Sequence, residues 1–246
     1  MASSDALLSP PPLAALLESS RVALFVDFDG TLVEIASGPD AISVGGGLAG
    51  SLEALARRLG GALALVSGRS IDNLTQFLGP VKLHLAGSHG GHVIHANGDT
   101  MLEAEALPDE VRQALGEYAK REGLLYERKS HGAALHYRAR PDLEEQAHGF
   151  AKGLAAEHAL ATKTGKCVIE LVRPGIDKGG AVRLLAAQSP FSGAVPVFIG
   201  DDVTDEDGFA ACNEMGGFGI LVGERISTSA KYRLGTVGDV HQWLEL

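Results

Sequence analysis

Three short apolar runs stand out along this chain, residues 22–27, 62–67 and 195–200, ending on Asp27, Ser67 and Gly200. Runs of this length without polar alternation are the pattern of parallel strands buried on both faces. Between them the spacing becomes helical, as in residues 49–59, where Leu52, Leu55, Ala56 and Leu59 fall on one side. Strands alternating with helices predict an α/β architecture with a doubly wound, mostly parallel sheet. From about Glu103 to Gly175 the texture changes. Val111, Leu115, Tyr118 and Ala119 make one amphipathic helical face, and residues 143–158 make a second helix started by Pro141 and Asp142. Glu127, Lys129 and His131 alternate onto one strand face, while Lys166 and Glu170 share a face opposite Cys167, Ile169 and Leu171. One polar face per strand is the mark of an antiparallel sheet. The expected organisation is a core of residues 1–102 and 176–246, interrupted by a smaller α+β domain over 103–175.

The apolar runs also deliver chemistry. Val22 to Leu32 reads VALFVDFDGTL, so Asp27 and Asp29 leave the first strand two residues apart and Gly30 follows as a turn residue. Two carboxylates aimed at one small volume raise each other's pKa or demand a cation, so the pair is a general acid with a partner or a hard-metal site. Asp-Gly is also ordinary turn chemistry, and alone it would not decide. Three further segments bear on it. Residues 63–69, LALVSGR, place Ser67 and Arg69 at a second strand end, and residues 195–207, VPVFIGDDVTDED, place Asp201, Asp202 and Asp205 at a third. Lys178 opens a helix just upstream of that last strand, where its charge opposes the macrodipole and asks for a nearby anion. In open parallel sheets the ligand crevice lies outside the carboxyl ends of the strands, where these segments would converge.

At this point the chain resembles the haloacid dehalogenase-like phosphohydrolases, on DFDGTL at Asp27, SGR at Ser67, Lys178, and GDDVTDE around Asp201. Within that superfamily, the longer GDDVTDEDGF, GSHG at residues 87–90, HYR at 136–138 and GKxxIELxRP at 165–174 look like the trehalose-6-phosphate phosphatases. The resemblance implies that Asp27 is a nucleophile forming an aspartyl-phosphate and that Asp29 is the general acid and base. It also implies Mg2+ held by Asp27, the main-chain carbonyl of Asp29, and Asp201, with Asp202 and Asp205 orienting waters or Lys178. Ser67 would bond a phosphoryl oxygen and Lys178 would offset charge. The inserted domain becomes a cap, in which Glu127, Lys129, Lys166 and Glu170 match positions that hold sugar hydroxyls. Arg69 would contact substrate or make a structural ion pair, and His89 would contact ligand or cap local backbone groups. Closure of the cap would place hinges near Glu103 and at Pro174 and Gly175.

Composition narrows the partners. With 246 residues, 45% of them hydrophobic, the chain can bury one large core or two modest ones. A formal net charge of -10 argues against nucleic acid, and the resemblance implies a small sugar phosphate as the partner. Cys167 and Cys212 lack metal or disulfide spacing and read as small buried apolar residues. The first residues show no basic segment before a long apolar run, so the expectation is a soluble, cytoplasmic protein with no membrane partner. Residues up to about Pro12 are expected to be flexible. The core chemistry does not choose the sugar, so sucrose 6-phosphate and mannosyl-3-phosphoglycerate remain alternative substrates. A signalling receiver would be shorter and lack Asp29, and a silent sensor would have lost a catalytic carboxylate. Oligomeric state is not written in the pattern.

Overall fold

The computed structural model describes residues 7–35, 44–165 and 167–246. In chain order these form α1 (Leu13–Ser19), β1 (Val22–Val26), α2 (Leu48–Arg58), β2 (Leu63–Val66), α3 (Ile71–Leu78), β3 (His84–Gly87), β4 (His92–Ile94) and β5 (Thr100–Glu103). Next come α4 (Asp109–Glu122), β6 (Leu125–Arg128), β7 (Gly132–His136), α5 (Glu144–Glu157), β8 (Ala161–Gly165) and β9 (Val168–Val172). The chain ends with α6 (Lys178–Ala186), β10 (Val195–Gly200), α7 (Glu206–Glu214), β11 (Phe218–Val222), β12 (Tyr232–Leu234) and α8 (Val237–Leu244). It divides into two compact units, Met1–Leu102 with Asp177–Leu246, and Glu103–Ile176.

The first unit is built on an eight-stranded sheet in the order β12-β11-β10-β1-β2-β3-β4-β5. It runs parallel from β12 through β3, and β4 returns antiparallel. Every residue of β1, β2 and β11 is buried, as their unalternated apolar sequences require. The helices bring apolar stripes to this sheet; in α2 the stripe is Leu48, Leu52, Leu55 and Ala56. From β1 the chain winds outward through β2 and β3, then re-enters beside β1 as β10 and winds the other way. The switch point therefore lies between β1 and β10, where an open α/β sheet presents its crevice. Register puts Val26 opposite Ile199, and Asp27 N–H donates to the Ile199 carbonyl at 2.9 Å. The residues just past these two strands are thus neighbours.

Residues 7–12 depart from the flexibility expected of a Ser/Pro-rich start. Leu8 bridges to Tyr232, the Leu8 carbonyl accepts from Arg233 N–H, and the Pro11 carbonyl accepts from the Trp243 indole at 2.8 Å. Proline restricts the chain locally, but distant partners on β12 and α8 decide where it lies. Cys212 is buried as expected, whereas Cys167 is half-buried in a turn with φ of 62°.

The second unit is a four-stranded antiparallel sheet, β6-β7-β9-β8, with its own core. Ala133, Leu135, Ile169 and Leu171 share that core with Val111, Leu115 and Tyr118 of α4 and Ala147 and Ala151 of α5. Tyr118 stacks on Phe150 with centroids 4.0 Å apart. On the other face, register aligns Glu127, Ala134, Glu170 and Lys163 in one row across the four strands.

Candidate active site

The first carboxylate sits where β1 ends. Asp27 is 4% exposed, and its Oδ1 accepts from Lys178 Nζ at 2.7 Å. Lys178 is the first residue of α6, whose start is fixed by Asp177 accepting from Gly180 N–H at 2.7 Å. The same ammonium donates to Asp205 Oδ1 at 2.6 Å. Asp205 Oδ2 accepts from Asp202 N–H at 2.9 Å, and Asp202 Oδ1 accepts from Val203 N–H, so the turn after β10 is closed by a reciprocal capping box. That turn carries Asp201. Ligand oxygens of Asp27, Asp201 and Asp205 lie within 4.8 Å of one another.

Three carboxylates surround one ammonium, which leaves a net charge of two negatives. Burial pushes the Asp27 carboxyl well above its ordinary value, with Lys178 opposing and Asp205 and Asp201 adding to the rise. Burial, with Asp205 and Asp202, raises Asp201 to about 7. Burial alone would lower Lys178, but Asp205 and Asp27 raise it instead. An ammonium held up by two carboxylates requires those carboxylates to be charged, so the surplus negative charge must be met by protons or by a cation. Asp201 Oδ1 is buried and has no hydrogen-bond partner among the described residues. An orphaned oxygen beside a doubly negative cluster of hard donors fits a divalent cation. Asp205 has both oxygens engaged, which makes it an anchor for Lys178 and the turn.

The carboxylate of Asp29 is not part of this cluster. β1 ends at Val26, so the two-residue strand period no longer governs the segment, and the chain turns at Gly30 with φ of +79°. The Asp29 carboxylate accepts two bonds from Arg69, from Nε at 2.6 Å and from Nη2 at 2.7 Å. Arg69 in turn donates to Asn73 Oδ1 and lies 5.0 Å from the Phe77 ring centroid. The Asp29 carboxylate is thus held by Arg69, so that Arg69 makes the structural ion pair that is one of the roles open to it. Asn73 and Phe77 escaped the sequence reading, although their spacing of four and eight residues beyond Arg69 is a helical signal.

Ser67 follows β2 and is 1% exposed, its Oγ accepting from Arg69 N–H at 3.1 Å. His89 has φ of 56°, and its N–H donates to the Ser67 carbonyl at 2.9 Å. Its ring lies over Gly68, where an added Cβ would meet His89 Cε1 at 2.6 Å. His89 thus braces the Ser67 turn, and glycine at 68 makes room for it.

In the second unit, Lys129 stands in the turn after β6 and not on the strand face expected for it, yet its Nζ reaches Glu170 Oε2 at 2.7 Å. Glu170 is 8% exposed. His136 contacts Glu127 Oε2 at 2.7 Å, and that bond holds Glu127 below its ordinary value. His131, expected beside them, instead bonds the Ala104 carbonyl through Nδ1. Lys166 lies outside the described residues.

The switch-point cluster, the doubly wound sheet and the inserted antiparallel unit define the haloacid dehalogenase-like fold. A haloacid dehalogenase-like hydrolase from B. subtilis shares it with a TM-score of 0.68 at 16% identity, over 92% of this chain and 99% of that one. The C-terminal domain of a C. albicans trehalose-6-phosphate phosphatase superposes with a TM-score of 0.79 at 24% identity, over 98% and 99% of the two chains. An Aspergillus fumigatus trehalose-6-phosphate phosphatase gives a TM-score of 0.70 at 27% identity, over 97% of each. In sequence, the trehalose-phosphatase family model matches residues 25–237. A trehalose-6-phosphate phosphatase of Escherichia coli (strain K12) is 38% identical over 93% of this chain and 87% of its own length. The chain belongs to the trehalose-phosphatase family. The C-terminal domain of a Candida albicans trehalose synthase regulatory protein shares the fold as well, with a TM-score of 0.73 at 14% identity.

Proposed function

We propose that this chain hydrolyses trehalose 6-phosphate to trehalose and phosphate through an aspartyl-phosphate on Asp27. The observation that carries this reading is the buried Asp27 at the strand end, gripped by Lys178 beside an acidic cluster of surplus negative charge. Lys178 aims Asp27 and opposes the rise that burial causes, and a cation at the acidic cluster would further favour its charged form. One carboxylate oxygen then attacks phosphorus while the sugar oxygen leaves. Asp29 gives the departing oxygen its proton, then removes one from the water that opens the intermediate. Because Arg69 grips both Asp29 oxygens, that carboxyl must release at least one to reach the leaving group. Ser67 holds a phosphoryl oxygen, and Lys178 offsets negative charge as the bond forms. Mg2+, a hard ion suited to such oxygen donors, would be held by Asp27, Asp201 and the Asp29 carbonyl, and would neutralise charge on the phosphoryl group.

The second unit, residues 103–176, acts as the cap in this reading. Glu127, Lys129 and Glu170, with Lys166, select the sugar. Their fixed charges favour one pattern of hydroxyls and leave a buried polar group unpaired with another. The test is magnesium-dependent phosphate release from trehalose 6-phosphate beside sucrose 6-phosphate, mannosyl-3-phosphoglycerate and glucose 6-phosphate. Strong preference for trehalose 6-phosphate, abolished in Asp27→Asn, is the expected result. Equal rates across the panel would discard the sugar assignment while keeping the phosphatase, and no release from any would discard both.

A further inference from the structure

The chemistry places Asp201 at the cation, yet nothing in the described residues bonds its Oδ1. Its aim is therefore set by the backbone of the turn that carries it. From inside, that turn is held by Asp205 through Lys178 and the capping box. From outside, it is held by a pair that plays no part in the proposed chemistry, Glu206 and Arg225.

Glu206 follows Asp205 directly and opens α7. Its Oε1 accepts from Arg225 Nη2, and its Oε2 accepts from Ser229 N–H at 2.6 Å. The same Arg225 nitrogen donates to the Asp202 carbonyl at 3.3 Å, while Nη1 donates to the Ser227 carbonyl. The strap after β11 is pinned at both ends as well. Arg233 donates to the Arg225 carbonyl at 2.8 Å, and Asn213 of α7 donates to the Ser229 carbonyl at 2.8 Å. Side chains of Arg225 and Glu206 are 25% and 23% exposed, so the pair is partly shielded from solvent. A surface ion pair of ordinary kind would bridge two side chains only. Here one guanidinium ties a carboxylate, the carbonyl of the acidic turn and the strap's own backbone together.

We propose that Glu206 and Arg225 are positioning residues for the divalent-cation site, fixing the Asp202 peptide and with it the direction of Asp201. The inference rests on the reading of Asp201 as a cation ligand. Outer partners that orient metal ligands typically change affinity 10- to 100-fold when removed. Glu206→Gln and Arg225→Met should each weaken Mg2+ binding by about 10-fold or more. The double variant should be no worse than the weaker single one, because both remove one clamp. At saturating Mg2+ the turnover number should stay near that of the parent.

The experiment is calorimetric titration of Mg2+ into the full chain, with thermal unfolding in EDTA as the measure of fold alone. Arg225→Lys covers the case in which Arg225→Met does not fold: a single ammonium cannot reach carboxylate, turn and strap together, so affinity should still fall. Asn213→Ala loosens the strap without touching the acidic turn and should bind Mg2+ as the parent does. Parental Mg2+ affinity in Glu206→Gln and Arg225→Lys overturns the inference. So does an equal loss in Asn213→Ala, which would make the strap's general stability the cause. Asp201→Asn separates the two levels: if it binds Mg2+ as the parent does, the reading of the cation site fails first.

Discussion

Gly30→Ala gives the sharpest single perturbation, because one methyl group meets the cation ligand directly. Gly30 has φ of +79°, and a Cβ built there would lie 2.3 Å from Asp201 Oδ2 and 2.5 Å from its Cγ. Two costs follow. The left-handed backbone costs an L-residue about 1–2 kcal/mol. The Asp201 carboxylate must also retreat by roughly 1 Å, a displacement of the size that costs on the order of 100-fold at a catalytic centre. Gly216 supplies the control, since its φ is +81° and an added Cβ there meets nothing within 4 Å. Gly216→Ala should show the backbone cost alone, with Mg2+ affinity and turnover intact. Gly30→Ala should lose a similar or greater amount of stability and about 10- to 100-fold in Mg2+ affinity. Urea unfolding of both variants, with calorimetric Mg2+ titration, measures the two costs separately. Parental Mg2+ affinity in Gly30→Ala would refute the placement of Asp201 at the cation.

Arg69→Lys keeps a charge but loses the two-pronged grip on Asp29, so the acid should be misaligned. On aryl phosphates, which carry no sugar, kcat/KM should fall about 10-fold more for phenyl phosphate than for p-nitrophenyl phosphate, whose leaving group scarcely needs a proton. An equal fall for both would assign Arg69 to the phosphoryl group. His84, 7% exposed and edge-on to Phe191 and His95, is lowered to about 4 by burial first and by His95 second. Its unfolded value of 6.5 lies above the folded one, so the unfolded chain binds the proton more tightly. Its contribution is complete above pH 6.5 and is lost as pH falls toward 4. Relative to His84→Phe, the parent should therefore lose about 1–3 kcal/mol between neutral and acid pH. Denaturant unfolding of both chains at several pH values checks this, and parallel curves would contradict it.

Much of this was legible along the chain, because buried parallel strands announce themselves as unbroken apolar runs. β1, β2 and β10 were readable from such runs; Asp27 and Asp201 at the ends of β1 and β10 converge, and Ser67 follows the neighbouring parallel strand β2. Lys178 was readable from a charge that its helix start disfavours. What stayed hidden depends on side-chain direction and on partners far along the chain. Asp29 and Arg69 are 40 residues apart, and only the turn at Gly30 brings them together. Glu206 and Arg225 look like two solvated charges until the strap folds over the turn. Lys129 falls outside the strand whose alternation predicted its face, because β6 stops at Arg128, yet a long side chain still reaches Glu170. The Pro-rich start says nothing about the Trp243 indole waiting for the Pro11 carbonyl.

The central claim is that Asp27 carries the phosphoryl group, and rapid acid quenching with trehalose 6-phosphate labelled in phosphorus tests it most directly. Within a single turnover, label should appear on denatured protein, and borohydride reduction should convert residue 27 alone to homoserine, with no label in Asp27→Asn. Phosphate release without any labelled protein, or label that persists in Asp27→Asn, would contradict the account.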